Sequence, residues 1–297
     1  MMKKILSMML VCVMVVGMVT GCGSSDEQKT SSSTSDSGKK KLTAAANVER
    51  SRGLGDVYKR QNVDYAPFEF YEDGKPVGFD VDLWSAICDK LGYEAEFVHY
   101  PWDGLISGIQ ADKFDAIVAD MEITDERKES VLFTDPYFYE TIGIAKQAGS
   151  NINALSDLKD QTIGIQTGTV AETWASKNES KIQEKEFTKY ETMADALMDL
   201  EAGRTVAVIN NGPYIQYQAK INDKIDVMDI IDDDPILCGI AFNKDDSELC
   251  NKVNGVLKEL VSDGTYAKLY QKWFGADPNK DFMPGGKNGA ATGSAAQ

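Results

Sequence analysis

GFDVDLWSAICDKLG, residues 78–92, is the stretch that decides the fold. Its apolar side chains recur at helical spacing and share one face, and a glycine ends the run. EAEFVHY (94–100) alternates like a strand, and FDAIVAD (114–120) is an apolar strand flanked by carboxylates, as is typical of a buried parallel strand. The face of the predicted helix comprises Phe79, Leu83, Ala86, Ile87 and Leu91.

Strands and helices continue to alternate beyond this first run. TIGIAK (141–146) and QTIGIQTGT (161–169) are β-branched, and a helical pattern follows the second of them. CGIAF (238–242) is a further strand, before two closing helices. The alternation predicts an α/β fold whose sheets are mostly parallel and flanked by helices. Two such runs predict two lobes, with a ligand at the carboxyl ends of the strands.

Composition excludes several kinds of partner. The chain has 297 residues, 42% of them hydrophobic, and a net charge of -16. Binding to nucleic acid requires basic patches, so we expect no nucleic-acid partner. His99 is the only histidine, and we interpret it as structural. Cys88, Cys238 and Cys250 have unrelated spacings, which predicts no disulfide framework, no metal site and no cofactor.

The N-terminus reads as a secretory signal rather than as part of the fold. Two lysines precede an apolar run over residues 5–19, which is too short for a comfortable membrane span. The run ends in VTGC, which resembles a bacterial lipobox. We therefore predict a signal peptide over 1–21, a lipidated Cys22, a Ser-rich tether over 22–40 and anchoring on the extracellular face of the membrane. The alternative is a plain signal peptide with a chance cysteine.

Six motifs occur in a fixed order between about residues 62 and 275: YAPFEF, GFDVDLWSAICDKL, ITDER, QTGT, CGIAF and GTYAKLYQKWFG. In this order they resemble the bacterial extracellular solute-binding proteins of family 3, which serve ABC transporters for polar amino acids. The resemblance implies a monomeric receptor that closes two lobes around a free amino acid and presents it to a permease.

The same resemblance implies a type II periplasmic-binding-protein fold with two hinge strands. Lobe 1 then covers 41–141, lobe 2 covers 142–238, and 239–278 returns to lobe 1. The crossings fall near Ile142 and Cys238, and residues 279–297 form a disordered tail.

Arg127 and Thr169 are the expected contacts of the ligand carboxylate. In the family the arginine of ITDER holds this carboxylate, and a guanidinium meets a carboxylate through two parallel hydrogen bonds. Thr169 and the amides around Gly168 stand at the start of a helix and can add donors. Without the resemblance, Arg127 would be read as part of a surface salt bridge.

Aromatic and amide side chains complete the expected pocket. Tyr65 and Trp102 match family positions that sandwich the ligand side chain. Asn62, Gln166 and Asn210 match positions near its distal end, and amides offer both donors and acceptors. This neutral, polar lining favours a glutamine-like amino acid.

Three positions depart from the glutamine-binding branch of the family. Asp120 and Glu122 replace small or hydroxyl residues, and Asn211 replaces an acid that pairs with the ligand ammonium. We interpret the change as a carboxylate moved from lobe 2 to lobe 1, with Glu122 and Asp120 taking the ammonium. A second possibility is that the extra carboxylate meets a basic ligand side chain, and a third is that Asp120 points into solvent.

Three classes of function compete on these residues. A transport receptor is the favoured class. An enzyme resembling cyclohexadienyl dehydratase would need an acid or base, for which Glu122 is the one candidate, and we predict that the chain is not an enzyme. A sensor module usually continues into a signalling domain, whereas this chain ends in a Gly/Ala-rich tail.

NVERSRGLGDVYKRQ, residues 47–61, interrupts the family pattern. Without it the chain reads KLTAAANVDYAPFEF, with the first strand running directly into the aromatic loop. The stretch resembles a translated adaptor string, and we interpret it as a sequence artefact. The alternative is a genuine surface loop, which would put the first strand, Asn62 and Tyr65 in doubt.

Overall fold

The computed structural model describes residues 40–46 and 65–287. Several expectations concern residues outside these ranges. They are the signal peptide (1–21), the lipidation of Cys22, the tether up to residue 39, the stretch 47–61, the ligand contact of Asn62, and the tail from residue 288 onwards.

Strands and helices alternate through the described chain, as the sequence predicts. The strands are β1 (Lys41–Ala46), β2 (Phe70–Glu72), β3 (Lys75–Val77), β4 (Glu94–His99), β5 (Ala116–Ile117), β6 (Leu132–Phe133), β7 (Phe138–Gln147), β8 (Thr162–Gln166), β9 (Glu186–Tyr190), β10 (Ala207–Asn211), β11 (Ile225–Cys238) and β12 (Ala241–Phe242). The helices are α1 (Phe79–Leu91), α2 (Leu105–Gln110), α3 (Asp125–Ser130), α4 (Val170–Lys177), α5 (Glu179–Ile182), α6 (Met193–Glu201), α7 (Gly212–Ile221), α8 (Ser247–Ser262) and α9 (Thr265–Phe274).

Two separate sheets form the centres of two lobes. The sheet of lobe 1 has the order β4-β1-β5-β12-β6, and the sheet of lobe 2 has the order β11-β7-β10-β8-β9. The pairs of β1 with β4 and β5 are parallel, as are those of β8 with β9 and β10. The remaining pairs of these two sheets are antiparallel and involve β7 and β11, which make the crossing between the lobes, and β12, which follows it.

The crossing between the lobes is made by β7 and β11. They pair antiparallel from Gln147 opposite Ile225 to Phe138 opposite Cys238. The predicted crossing points near Ile142 and Cys238 lie within β7 and at the end of β11. Long paired strands of this kind are suited to hinge motion, because small backbone changes at one point swing a whole lobe.

The helix predicted at residues 78–92 packs lobe 1 together. Phe79, Leu83 and Ile87 of α1 are fully buried in one apolar cluster with Val253 and Leu257 of α8. Gly78 precedes α1. A Cβ on this residue would lie 1.9 Å from the carbonyl oxygen of Phe68, the first phenylalanine of YAPFEF. Only glycine tolerates this approach, so the start of α1 and the aromatic loop are fixed to each other.

The chain beyond Pro278 differs from the expectation of a tail. Phe282 packs against Tyr139 of β7 with ring centroids 4.6 Å apart, and Met283 lies against the lobe 1 core. Residues 279–287 are therefore part of the packed structure, because an aromatic side chain within them covers the hinge strand. None of the helices within the described ranges has the length and apolarity needed to cross a membrane.

Candidate ligand-binding site

Arg127 lies in the first turn of α3. Thr124 caps the helix by accepting a hydrogen bond from the Arg127 backbone N–H at 3.1 Å. The guanidinium lies over the Trp102 ring, with 5.2 Å between Cζ and the ring centroid. Its Nη2 donates across the cleft to the Gly168 carbonyl at 3.1 Å. Two lobes therefore meet on this one side chain.

Glu122 does not stand free for a ligand ammonium, in contrast to the expectation. Its Oε2 accepts from Arg127 Nη1 at 2.5 Å, and its backbone carbonyl accepts from the same atom at 2.9 Å. Both side chains are about nine-tenths buried. A buried carboxylate needs a partner, and the nearest cation is the arginine five residues further along the chain. Glu122 thus neutralises Arg127.

The start of α4 also differs from the expectation. The Gly168 N–H, expected to donate to a ligand carboxylate, donates to Glu172 Oε2 at 2.7 Å. Thr169 caps α4 by accepting from Glu172 N, and its hydroxyl donates to the Gln166 carbonyl at 2.9 Å. The Thr-x-x-Glu pattern of a capping box was the signal for this arrangement. These donors are satisfied within the protein.

Tyr65 and Asn211 join the lobes on the other side of the cleft. Tyr65 stacks on Tyr214 of α7 with ring centroids 4.9 Å apart. Its hydroxyl lies 3.4 Å from Asn210 Oδ1 and accepts a hydrogen bond from Asn211 Nδ2. Asn211 also caps α7 through its Oδ1. The predicted pocket residues from the two lobes are therefore brought together.

Asp120 points into the cleft and not into solvent. It is 2% exposed and has a φ of 48°, a left-handed conformation that aspartate tolerates better than most residues. Its Oδ2 accepts from Asn211 Nδ2 at 2.9 Å, which links lobe 1 to lobe 2. Its backbone N–H donates to Asp80 Oδ2 at 2.7 Å. The solvent-facing alternative for Asp120 is wrong.

The amide side chains of the predicted pocket are buried but differ in their bonding. Gln166 Nε2 donates to the Glu191 carbonyl at 3.0 Å. Asn210 Oδ1 accepts from the Asn211 backbone N–H at 2.7 Å. Asn210 Nδ2 has no hydrogen-bond partner among the described residues, so this donor is available to a ligand.

Glu140 is a site residue that the sequence analysis missed. It is 1% exposed. One of its carboxyl oxygens, one carboxyl oxygen of Asp120 and the Cys238 sulfur all lie within 4.8 Å of one another. The side chains of Asp120 and Glu140 are called the carboxyl pair below. The signal was the period of two in β7, which puts Glu140 on the same buried face as Phe138 and Ile142.

Burial changes the titration of this region. It raises the pKa of Glu140 well above its ordinary value, and the charge of Asp120 raises it further. Burial also raises the pKa of Asp120, and the charges of Asp80 and Glu122 raise it further. Asp80 has its pKa raised to about 7, chiefly by burial, against the hydrogen bonds from the Tyr137 hydroxyl and the Asp120 backbone. Protonated carboxyl groups therefore lie at the bottom of the cleft at moderately acidic pH.

Comparisons with known proteins agree with this architecture. The sequence profile of the bacterial extracellular solute-binding proteins, family 3, matches residues 61–276. The arginine-binding extracellular protein ArtP of Bacillus subtilis (strain 168) is 34% identical over 277 residues, covering 92% of this chain and 98% of ArtP. Two solved structures, of an ancestral arginine-binding protein bound to arginine and of one bound to glutamine, each align with a TM-score of 0.69 and 32% identity. Each covers 80% of this chain and 99% of the solved one.

These relatives support the role of substrate-binding receptor in amino-acid ABC import, together with an extracellular location. The two sheets joined by crossing strands are those of a type II periplasmic binding protein. The chain belongs to the bacterial extracellular solute-binding proteins, family 3, and is a solute-binding receptor rather than an enzyme.

Proposed function

We propose that this receptor binds a basic amino acid and delivers it to the permease of an ABC importer. The observation that carries the proposal is the charge balance of the site. Arg127 is already paired with Glu122, whereas Asp120 is buried between the lobes. Within the described residues, no ion pair joins a lysine or arginine to Asp120. A buried carboxylate without a cation is costly, and a cationic ligand would relieve that cost.

Arg127 retains capacity for the ligand carboxylate. A guanidinium has five N–H donors, and three of them are used by Glu122 and Gly168. The remaining donors include Nε–H. This group lies on the edge of the guanidinium that can donate two parallel hydrogen bonds to a carboxylate. The carboxylate of the ligand would share Arg127 with Glu122. This crowding of anions favours a ligand that carries an additional positive charge.

A glutamine-like ligand is the second candidate. The buried Nδ2 of Asn210 has no partner in the described chain and suits a side-chain carbonyl. A similar ancestral protein named as arginine-binding has been solved with glutamine bound. Relatives named for arginine, including ArtP, favour the basic ligand. The two candidates differ by one charge, so a single panel separates them.

The test is a thermal-shift panel of the common amino acids and ornithine with the purified protein. A ligand present at about a hundred times its Kd adds about 2.7 kcal/mol to the unfolding free energy. We expect arginine, lysine or ornithine to raise the unfolding midpoint, and glutamine to raise it less. A shift with glutamine alone would select the second candidate, and a panel without any shift would refute an amino-acid ligand.

Asp120→Asn is the matched variant. Asparagine keeps the acceptor for Asn211 and tolerates the left-handed backbone, so only the charge is lost. We expect the arginine shift to shrink strongly in Asp120→Asn, while the exposed change Asp277→Asn leaves it intact. An undiminished arginine shift in Asp120→Asn would remove Asp120 from the ligand site.

We further propose that Cys22 carries the lipid that anchors a monomeric receptor to the outer face of the membrane. Lipid chains on one cysteine hold a protein at a bilayer without a spanning helix. Cys22→Ser should release the receptor into the medium, and its mass in solution should be that of one chain. Retention of the variant on membranes would contradict the lipid anchor. A mass of two chains would contradict the monomeric state.

A further inference from the structure

We propose that Glu140 is a second cation-binding residue of the cleft, and that the carboxyl pair exchanges one bound proton for the cationic side chain of the ligand. This inference rests on the proposed function, because it requires that the ligand be a basic amino acid. It goes beyond that function by assigning a residue and a proton to the choice between basic and neutral ligands.

The position of Glu140 is the first reason. It lies on β7, opposite Ile236 of β11, where the chain crosses between the lobes. Neither of its carboxylate oxygens accepts a hydrogen bond from an N–H or a hydroxyl of the described chain. Such a group, almost completely buried, is stable only if it is protonated or if a cation reaches it.

The contact with Asp120 is the second reason. Two carboxylates in a water-excluded site cannot both carry a negative charge at short distance, so they share a proton. One carboxyl oxygen of Glu140 lies within 4.8 Å of one of Asp120. Burial and then the charge of Asp120 raise the pKa of Glu140, so Glu140 is the group that holds the proton. The pair therefore carries one negative charge before a ligand arrives.

The groups around the pair supply no positive charge that could replace this proton. Asp80 and Glu122 face the pair as further carboxyl groups and oppose its full ionisation. Further titratable groups near the pair are the Cys238 thiol and three tyrosine hydroxyls, each with its pKa raised by burial. The tyrosines are Tyr65, Tyr137 and Tyr270. Arg127 is paired with Glu122. A ligand is thus the source of the missing positive charge.

Polar side chains of lobe 2 adjoin the pair. Asp120 Oδ2 accepts from Asn211 Nδ2, a neutral group of lobe 2, at 2.9 Å. The Tyr65 hydroxyl adjoins the same amide and the free Nδ2 of Asn210 belongs to the same group of side chains. A guanidinium or ammonium at this point would meet both carboxylates and would be enclosed by both lobes, where electrostatic interactions are strong.

Counting charges predicts when the proton leaves. A neutral amino acid brings one carboxylate, for Arg127, and one ammonium, which the singly charged pair satisfies. A basic amino acid brings a second cation, which requires the second carboxylate to ionise. At a pH below the range in which the pair titrates, binding of a basic ligand should therefore release about one proton to the solvent. Binding of a neutral ligand should release about none.

The experiment is titration calorimetry with arginine in two buffers of different ionisation enthalpy, at about pH 6. The full protein is used, and the difference in observed heat between buffers gives the number of protons released. We expect about one proton for the wild type and about a tenfold gain in arginine affinity for each pH unit in this range. Glutamine, where it binds, serves as the neutral ligand.

Glu140→Gln is the matched variant, because glutamine keeps the shape and removes the titration. We expect proton release to vanish and arginine affinity to fall at least tenfold, with glutamine affinity changed little. Glu129→Gln, an exposed change of the same kind, should behave as the wild type.

The outcomes separate the two proposals. If arginine binds without proton release, or if Glu140→Gln releases as many protons as the wild type, the role of the pair is refuted while the receptor keeps its basic ligand. If arginine does not bind at all, both proposals fail. The wild-type proton count decides the matter even if Glu140→Gln does not fold.

Discussion

Replacing Asp80 by asparagine removes a buried carboxyl group while keeping its shape. Asp80 Oδ2 accepts hydrogen bonds from the Asp120 backbone N–H at 2.7 Å and from the Tyr137 hydroxyl at 2.9 Å. The amide oxygen of asparagine accepts the same two bonds. The variant therefore tests the titration of Asp80 with little effect on its contacts.

The size of the effect follows from the pKa of Asp80, which rises from 3.8 to about 7 on folding, chiefly through burial. The folded protein holds this proton more tightly than the unfolded chain does. The resulting stability is present below the unfolded pKa and is lost as the pH rises through the folded pKa. Between about pH 5 and about pH 8 the loss is roughly 2–3 kcal/mol of unfolding free energy.

Urea unfolding followed by tryptophan fluorescence at these two pH values measures the loss. We expect the wild type to lose roughly 2–3 kcal/mol more than Asp80→Asn does. Self-repulsion from the net charge of -16 affects both proteins alike, so their difference reports Asp80 together with its influence on the carboxyl pair. The exposed control Asp277→Asn should match the wild type. Equal losses in the wild type and Asp80→Asn would refute the reasoning.

Three further predictions concern binding and packing. Arg127→Lys keeps the charge but not the two parallel hydrogen bonds, so ligand affinity by calorimetry should fall by about 1.5–3 kcal/mol, and unchanged affinity would exclude the carboxylate role. Phe68→Ala empties a fully buried site and should cost about 3–5 kcal/mol of unfolding free energy, whereas exposed Met198→Ala should stay within about 0.5 kcal/mol. Gly212→Ala places a Cβ 2.1 Å from Thr141 Oγ1 and should cost about 1–3 kcal/mol, much of which Thr141→Ala should restore in urea unfolding; no restoration would contradict the clash.

Local signals in the sequence were read correctly where the structure depends on neighbours along the chain. The apolar stripe of α1 is set by spacings of three and four residues. The place of Arg127 in the cleft was expected from the family resemblance and not from these spacings. The acid-rich strand β11 was missed, because Asp226, Asp229 and Asp232 hide the strand pattern.

Long-range pairing explains the errors at the site. The sequence shows that Asp120 and Glu122 are unusual acids, but not that Glu122 takes Arg127 as its partner. Glu140 meets Asp120 only because β7 starts beneath the cleft, which no spacing along the chain expresses. Charge balance within a buried site is a property of the folded molecule. The ligand class therefore depends on contacts between distant residues, which cannot be read from spacings along the sequence.

The position of Cys238 has a consequence for measurement. The described chain contains three thiols, all buried, and Cys238 lies where the two crossing strands meet lobe 1. An alkylating reagent can reach it only when the strands separate, so the labelling rate reports the frequency of opening. Cys88 and Cys250 sit in helices, and changing both to alanine would leave Cys238 as the one thiol of the described residues. The alkylation rate of Cys238 is therefore a built-in measure of how often the crossing strands separate, and saturating ligand should lower this rate.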